Sequence, residues 1–430
     1  MRILVLTQIL PFPPDAGPRV KTWHVLRHLA EAGHELVLAT FLRPEEHEYL
    51  PAVQAICREV HAIPLTRSRI ADGWHWIKSN LRGRPFLIER DDKREMRALV
   101  DHLLAGGEID AVHVDQLTMG QFVTDWMRPP ATAGPDNLAM RHPGRPLIVF
   151  DAHNAVWMIL NRMRRTSSLL VRPMLALETH RVKHYEGMLV AGSDFTLVVS
   201  KRDQGFLEEA NRVWRGRRAS ATGEAEDRIR VIPIAVDTEE LKPVPRRSGS
   251  KNILTLGTLH YPPNADGVRW FMTEVFPLIL ARVPEASMTV IGKNPPVELG
   301  RIAAGLNGRV TIEGYVADLA PYLSAAAVLV VPVRVGGGMR VRILEAFARA
   351  MPTVTTSVGL EGIEAQPGEH VLVADTADLF ANHVITLLQD EVSQASLAVN
   401  GRWLAEARYE RHRVLAGLDH IYGTNGRPRS

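Results

Sequence analysis

Cysteine is almost missing from this 430-residue chain: Cys57 stands alone. No intramolecular disulfide can form, and a reducing compartment is expected. Long apolar runs are missing too, since no window approaches the roughly 18 to 20 residues that a transmembrane helix requires. The opening apolar stretch ends at Pro11 without a convincing cleavage site, so it reads as a core strand and not as a signal peptide. Charge of one sign is also lacking. With 51 Lys and Arg against 48 Asp and Glu, the formal charge is +3, too small to suggest nucleic acid as a partner. The expected location is cytoplasmic.

What is present is ordinary globular material, 46% hydrophobic and 23% charged, in a chain longer than one core usually supports. Strand-like and helix-like segments alternate from Arg2 onward, which argues for α/β layers with parallel sheets. Arg2 to Thr7 reads as a first strand, Arg19 to Ala32 as an amphipathic helix, and His34 to Ala39 as a second strand. An internal echo suggests two related halves. Leu10 to Gly17, followed by Arg19 and Trp23, resembles Leu259 to Gly267, followed by Arg269 and Trp270. Each follows a first strand, where a doubly wound domain places its first binding loop. The interdomain linker is expected at Leu241 to Ser250, which is aperiodic and rich in proline, serine and charge. Residues 129 to 146 and 211 to 228 read as surface loops, and the tail 424 to 430 as frayed.

The most informative stretch runs from Val331 to Pro352. An apolar, β-branched strand, Val328 to Val333, leads into Gly336, Gly337 and Gly338, and a helix is expected to open near Met339. Glycines let a backbone approach an anion, and a helix start offers N–H groups and a positive dipole end. Val341, Leu344, Ala348 and Met351 form a core-facing stripe. Glu345 lies beside it. It either accepts hydrogen bonds from ribose hydroxyls, as acidic residues do in other nucleotide folds, or pairs along the helix with Arg342 or Arg349.

Asp151-Ala-His-Asn154 follows the apolar strand Leu147 to Phe150, at a carboxyl end where open α/β sheets bind ligands. His153 is either a sugar-contacting or proton-handling imidazole or a turn histidine satisfied by backbone groups. His113 and Asp115, with Asp151 and His153, raise the question of a metal. Only one residue separates the members of each pair, and no metal site is assigned. Between Asn161 and His184 six basic residues face a single Glu178, interleaved with Leu160, Met163, Leu169, Leu170, Val171 and Met174. Segment 160–184 is either a peripheral membrane contact or a solvated helical face interrupted at Pro173.

Several motifs arrive together in one order: Leu256 to Asp266, Val290 to Gly292, Val310 to Asp318, Pro321 to Leu323, the glycine loop with Leu344 to Ala346, and Thr356 to Gly362. In this, residues 251 to 390 resemble the nucleotide-sugar-binding half of retaining GT-B glycosyltransferases, in particular glycosyltransferase family 4. Phe150 to Asn154, Val198 to Ser200 and Arg230 to Asp237 are similar to segments of the family's other half. The resemblance implies two Rossmann-like doubly wound domains facing a central cleft. The bounds expected are 1–240 for the acceptor-side domain, 241–250 for the linker, 251–395 for the nucleotide-sugar domain and 396–423 for helices crossing back to the first.

The implied activity is transfer of a sugar from a nucleotide-diphosphate sugar to a hydroxyl of a glycan, a lipid-linked saccharide or a small molecule. Configuration would be retained, and neither metal nor resident cofactor would be needed. Consistent with this, no Asp-any-Asp pair of the metal-dependent kind occurs. His153 and Glu345 would act at the reacting sugar and ribose. Gly17, Gly257, Arg334, Gly336, Gly337, Gly338, Met339, Arg340 and Arg342 would hold the donor. A lipid-linked acceptor would suit a place at the inner face of a membrane.

Two departures stand out. Gly337 occupies the position of the first glutamate in the family's Glu, seven residues, Glu pattern, and Thr258, His260, Pro262, Asn264 and Asp266 stand where many members carry an arginine and a lysine. An active transferase therefore competes with a catalytically weak nucleotide-sugar-binding partner in a glycan assembly complex. A sugar-nucleotide epimerase ranks third, because its acidic and histidine set cannot be placed here.

Overall fold

The computed structural model describes residues 1–127, 145–216 and 228–423. Most of the two expected loops and the whole 424–430 tail lie outside the described residues. Asn211 to Arg215, expected within the second loop, is the last turn of a helix, Lys201–Arg215.

The chain divides into two compact units, one of Met1–Pro233 with Leu415–Ser430 and one of Ile234–Val414. The division thus falls at Pro233 and Ile234, upstream of the 241–250 segment, which lies inside the second unit. Of the 396–423 stretch expected to cross back, the part in helix Glu391–Leu404 stays with the second unit, as Ala377–Gln389 does. Return to the first begins within the last helix, Arg411–Tyr422, at Leu415.

The first unit holds a seven-stranded parallel sheet in the order β3-β2-β1-β4-β5-β6-β7. Its strands are β1 (Arg2–Thr7), β2 (Glu35–Leu42), β3 (Glu59–Pro64), β4 (Ala111–Asp115), β5 (Leu147–Ala152), β6 (Phe195–Val198) and β7 (Ile229–Val231). The second unit holds a six-stranded parallel sheet in the order β10-β9-β8-β11-β12-β13. Its strands are β8 (Asn252–Leu256), β9 (Ser287–Ile291), β10 (Val310–Glu313), β11 (Ala326–Val331), β12 (Thr353–Thr355) and β13 (Leu372–Val373). Continuous apolar runs such as Ile3 to Leu6 and Ala326 to Val331 are wholly buried, as strands covered on both faces must be.

In each sheet the first strand pairs on both sides, β1 with β2 and β4, β8 with β9 and β11. Strand order reverses there, which opens a crevice at the carboxyl ends. The two echoed segments occupy equivalent places, each leading from that first strand into a helix, Gly17–Glu31 in one unit and Pro262–Trp270 in the other.

Packing in the first unit is closest where helix Arg172–Gly192 meets helix Lys201–Arg215. A Cβ on Gly187 would come within 2.2 Å of the Ala210 carbonyl oxygen, so any larger residue must separate the two helices. Pro173 sits in the first turn of its helix, a position that needs no N–H partner, so it starts a helix where an interruption was expected. In the second unit, Trp270 and Phe271 meet Phe380 edge to face, with ring centroids 5.6 Å apart in both pairs.

Candidate functional site

At the crevice of the second sheet, β8 turns into Gly257 and β11 into the 332–340 loop. The backbones there approach so closely that side chains are excluded. A Cβ on Gly292 would lie 1.8 Å from the Gly257 carbonyl oxygen, and one on Gly267 would lie 2.2 Å from the Pro332 carbonyl oxygen. Gly336 and Gly338 adopt φ of 140° and 74°, conformations that L side chains rarely take. Arg340 folds back over this loop and donates to the carbonyls of Gly337 and, at 3.1 Å, Gly338.

The helix opens at Val341 and runs to Ala348, two residues later than expected. Met339 is consequently outside it. Its side chain is buried, and its sulfur accepts the Ile234 N–H at 3.5 Å. The stripe Val341, Leu344, Ala348 and Met351 is buried as expected.

Arg342 is held beneath the β8 turn, its Nη1 donating to the Leu256 carbonyl at 2.7 Å and its Nη2 to Asn264 Oδ1 at 3.0 Å. Burial, with Arg340 nearby, brings its pKa down to about 10 against the opposing pull of Glu345, so it stays charged at neutral pH. The carboxylate of Glu345 makes no hydrogen bond or ion pair among the described residues. Burial raises its pKa, while Arg349 and Arg342 pull it back by charge alone. Of its two sequence readings, pairing along the helix is therefore not realised as a contact. Arg334 is engaged elsewhere, by both oxygens of Asp266, and lies over the Trp270 ring at 5.4 Å.

In the first unit, β4, β5 and the Gly17–Glu31 helix gather a buried polar cluster. Gly17 is the first residue of that helix. Lys21 Nζ meets Asp151 Oδ1, and His113 Nε2 lies 3.3 Å from Asp151 Oδ2. Asp115 Oδ1 accepts from Thr22 at 2.9 Å and pairs with His153 Nε2 at 2.8 Å. His113 Nδ1 pairs with the Tyr422 hydroxyl at 2.7 Å. Burial alone would raise the Asp151 carboxyl, but Lys21, His113 and His153 outweigh it and hold that carboxyl well below the usual range.

His153 is thus oriented by a carboxylate, and its satisfaction by backbone groups is not what is found. His113, Asp115 and Asp151 bring ligand-type atoms within 4.8 Å of one another, a convergence the sequence did not reveal. Lys21 already supplies a cation to Asp151. Lys21, Thr22 and Tyr422 were missed in sequence. For Lys21 a signal existed, because it shares a helical stripe with Val25 and Leu29, and a lysine at a core position needs a carboxylate.

Comparison with known proteins follows the same division. Residues 250–390 match the family model described as glycosyl transferases group 1. The chain is 25% identical over 173 residues to an uncharacterized 44.6 kDa protein in the cps region of Klebsiella pneumoniae, a stretch that is 39% of this chain and 45% of that protein. The match therefore spans less than half of the curated relative.

Among solved structures, sucrose-phosphate synthase from Thermosynechococcus elongatus is similar at a TM-score of 0.67 and 17% identity, over 98% of each chain. HepE of Anabaena in complex with UDP-glucose gives 0.64 and 14%, over 98% of this chain and 99% of that one. WaaG, a glycosyltransferase involved in lipopolysaccharide biosynthesis, gives 0.60 and 14%, over 99% and 100%. At such identities the likeness is one of fold, and that fold is GT-B.

Proposed function

We propose that the chain is a metal-independent glycosyltransferase of the family 4 type, moving a sugar from a nucleotide-diphosphate sugar to a hydroxyl with retention of configuration. The observation that carries this reading is the turn in the second unit. A partly buried arginine, Arg342, lies beneath Gly257 beside a glycine loop, and one helical turn later Glu345 offers a carboxylate with no hydrogen-bond partner among the described residues. A diphosphate needs the first arrangement and a ribose the second.

In this reading the sugar–oxygen bond of the donor breaks with its electron pair passing to the diphosphate. Arg340, Arg342 and the loop amides stabilise the growing charge. The acceptor oxygen attacks from the same face, and its proton passes to the leaving phosphate. His153, oriented by Asp115, is assigned to the sugar hydroxyls or to that proton, and Gly17 to the diphosphate. The acceptor is a glycan or a lipid-linked saccharide, and segment 160–184 contacts the inner face of a membrane. The exposed Leu169 and Leu170 support that contact, and the lone Cys57 supports a reducing compartment.

Calorimetry with uridine, guanosine and adenosine diphosphates and their sugars tests the site. One base family should bind, and Glu345→Gln should weaken it about ten-fold, the scale of one hydrogen bond to a charged group. Absence of binding at high concentration with every nucleotide would end this reading. Uridine comes first, since the similar fold of HepE was solved with UDP-glucose. Product anomer analysis by NMR tests retention, and activity in excess chelator tests metal independence.

A second reading is favoured by Gly337, which stands in place of an acid, and by the engagement of Arg334 with Asp266. It is a catalytically weak partner that binds nucleotide sugar in an assembly complex. Binding without donor consumption in the presence of acceptor would select it.

A further inference from the structure

Helix Arg69–Arg82 is built inside out. Ile70, Trp74, Ile77 and Leu81 recur at intervals of four, three and four, which places them in one narrow stripe. They are 88%, 64%, 45% and 83% exposed. On the opposite side Ser79 is 1% exposed, and its hydroxyl donates to the Arg84 carbonyl at 2.8 Å. The helix therefore turns a polar side to the protein and its apolar side to solvent, the reverse of an ordinary surface helix. Trp76, 47% exposed, adds a second indole.

The rim of this helix is positive. Lys78, Arg82 and Arg84 all converge on the single buried carboxylate of Glu89, at 2.8, 3.1 and 3.3 Å. Arg84 also reaches Asp92, where Arg97 adds a fourth cation at 3.0 Å. Four cations thus share two carboxylates. The apolar surface continues onto helix Arg172–Gly192, where Arg181 Nη1 donates to Asn80 Oδ1 at 3.1 Å. Four and seven residues before Arg181, on its own face, Leu177 and Met174 are about half exposed and lead toward the exposed pair Leu169 and Leu170.

We propose that helix Arg69–Arg82 lies in the interface of an anionic lipid bilayer, its stripe inserted among the acyl chains and its rim against the headgroups. A helix lying in that plane needs an apolar side with tryptophan at headgroup depth and cations at its border. The rim charge favours an anionic lipid surface over a second copy of the chain, which would bring like charges together. This surface goes beyond the donor site. The assay below contains no nucleotide, so its failure and a failure of the catalytic reading are separate events.

The test sediments the 430-residue chain with vesicles of phosphatidylcholine alone and with phosphatidylglycerol added. The chain should sediment with the anionic vesicles, less so at high salt. Trp74→Ser with Leu81→Ser should weaken partition by about ten-fold or more, while thermal unfolding stays where it was because both side chains are exposed. Brominated lipids should quench indole fluorescence less in Trp74→Phe than in the natural chain. Failure of the natural chain to bind either vesicle, or equal binding by the double variant, overturns the proposal. So does a dimer that the double variant dissociates and vesicles do not recruit, which would assign the stripe to a second copy.

Discussion

The guanidinium of Arg342 fills the space where any residue but glycine at position 257 would carry its Cβ. That atom would lie 2.5 Å from Nη1, and Nη1 is tethered to the neighbouring Leu256 carbonyl. Gly257→Ala must therefore push the arginine out from under the turn. Titration calorimetry should show the dissociation constant for the preferred nucleoside diphosphate rising at least about ten-fold, roughly 1.4 kcal/mol. Arg342→Lys should do the same, since a point charge cannot hold both Leu256 and Asn264.

Arg334 behaves differently because it is already paired. Its Nη2 sits 3.1 and 2.9 Å from the two Asp266 oxygens, with Nε at 3.2 Å. The pair is partly exposed, so Arg334→Ala should cost no more than about 1 kcal/mol of stability by urea unfolding. It should change nucleotide affinity less than about three-fold, under 1 kcal/mol. A larger loss would mean that the Asp266 pair opens when the donor binds.

Lys21 and Asp151 form an ion pair with 2% and 0% side-chain exposure. Removing one partner leaves a buried charge alone, so Lys21→Met should destabilise by about 3–5 kcal/mol in urea. Lys21→Met combined with Asp151→Leu should recover much of that loss. If Lys21→Met alone costs less than about 1 kcal/mol, His113 and not Lys21 is the main support of the carboxylate.

Glu186 is fully buried and accepts the Val156 and Trp157 N–H groups at 2.7 and 3.1 Å. Burial pushes its pKa up from 4.5 to about 8, against those two hydrogen bonds and with help from Asp203. Between these two values the folded chain holds a proton that the unfolded chain has released. The Glu186 contribution to stability is therefore full below pH 4.5 and is lost as pH rises toward about 8, by an amount on the order of a few kcal/mol. Glu186→Gln should flatten this dependence in thermal melts across that range and be the more stable protein at its upper end. An unchanged slope would remove Glu186 as its source.

The sequence by itself determined the elements whose information is local. Parallel strands covered on both faces are unbroken apolar runs, which is why β1 and β5 were legible, and three glycines between a strand and a helical stripe announced the loop at 336–338. It placed His153 just past a strand end and Glu345 inside the helix beside its apolar stripe for the same reason. Only the tertiary structure decided which polar and charged groups meet. Lys21 finds Asp151 across 130 positions, Arg342 finds Asn264 across 78, and His113 finds Tyr422 across 309. Among 51 basic and 48 acidic residues, Coulomb attraction acts through space and carries no preference for neighbours in the chain. The same holds for the Arg69–Arg82 helix. Its periodicity marks one apolar side, but only tertiary packing put the opposite side, with Ser79 and its bond to the Arg84 carbonyl, against the protein.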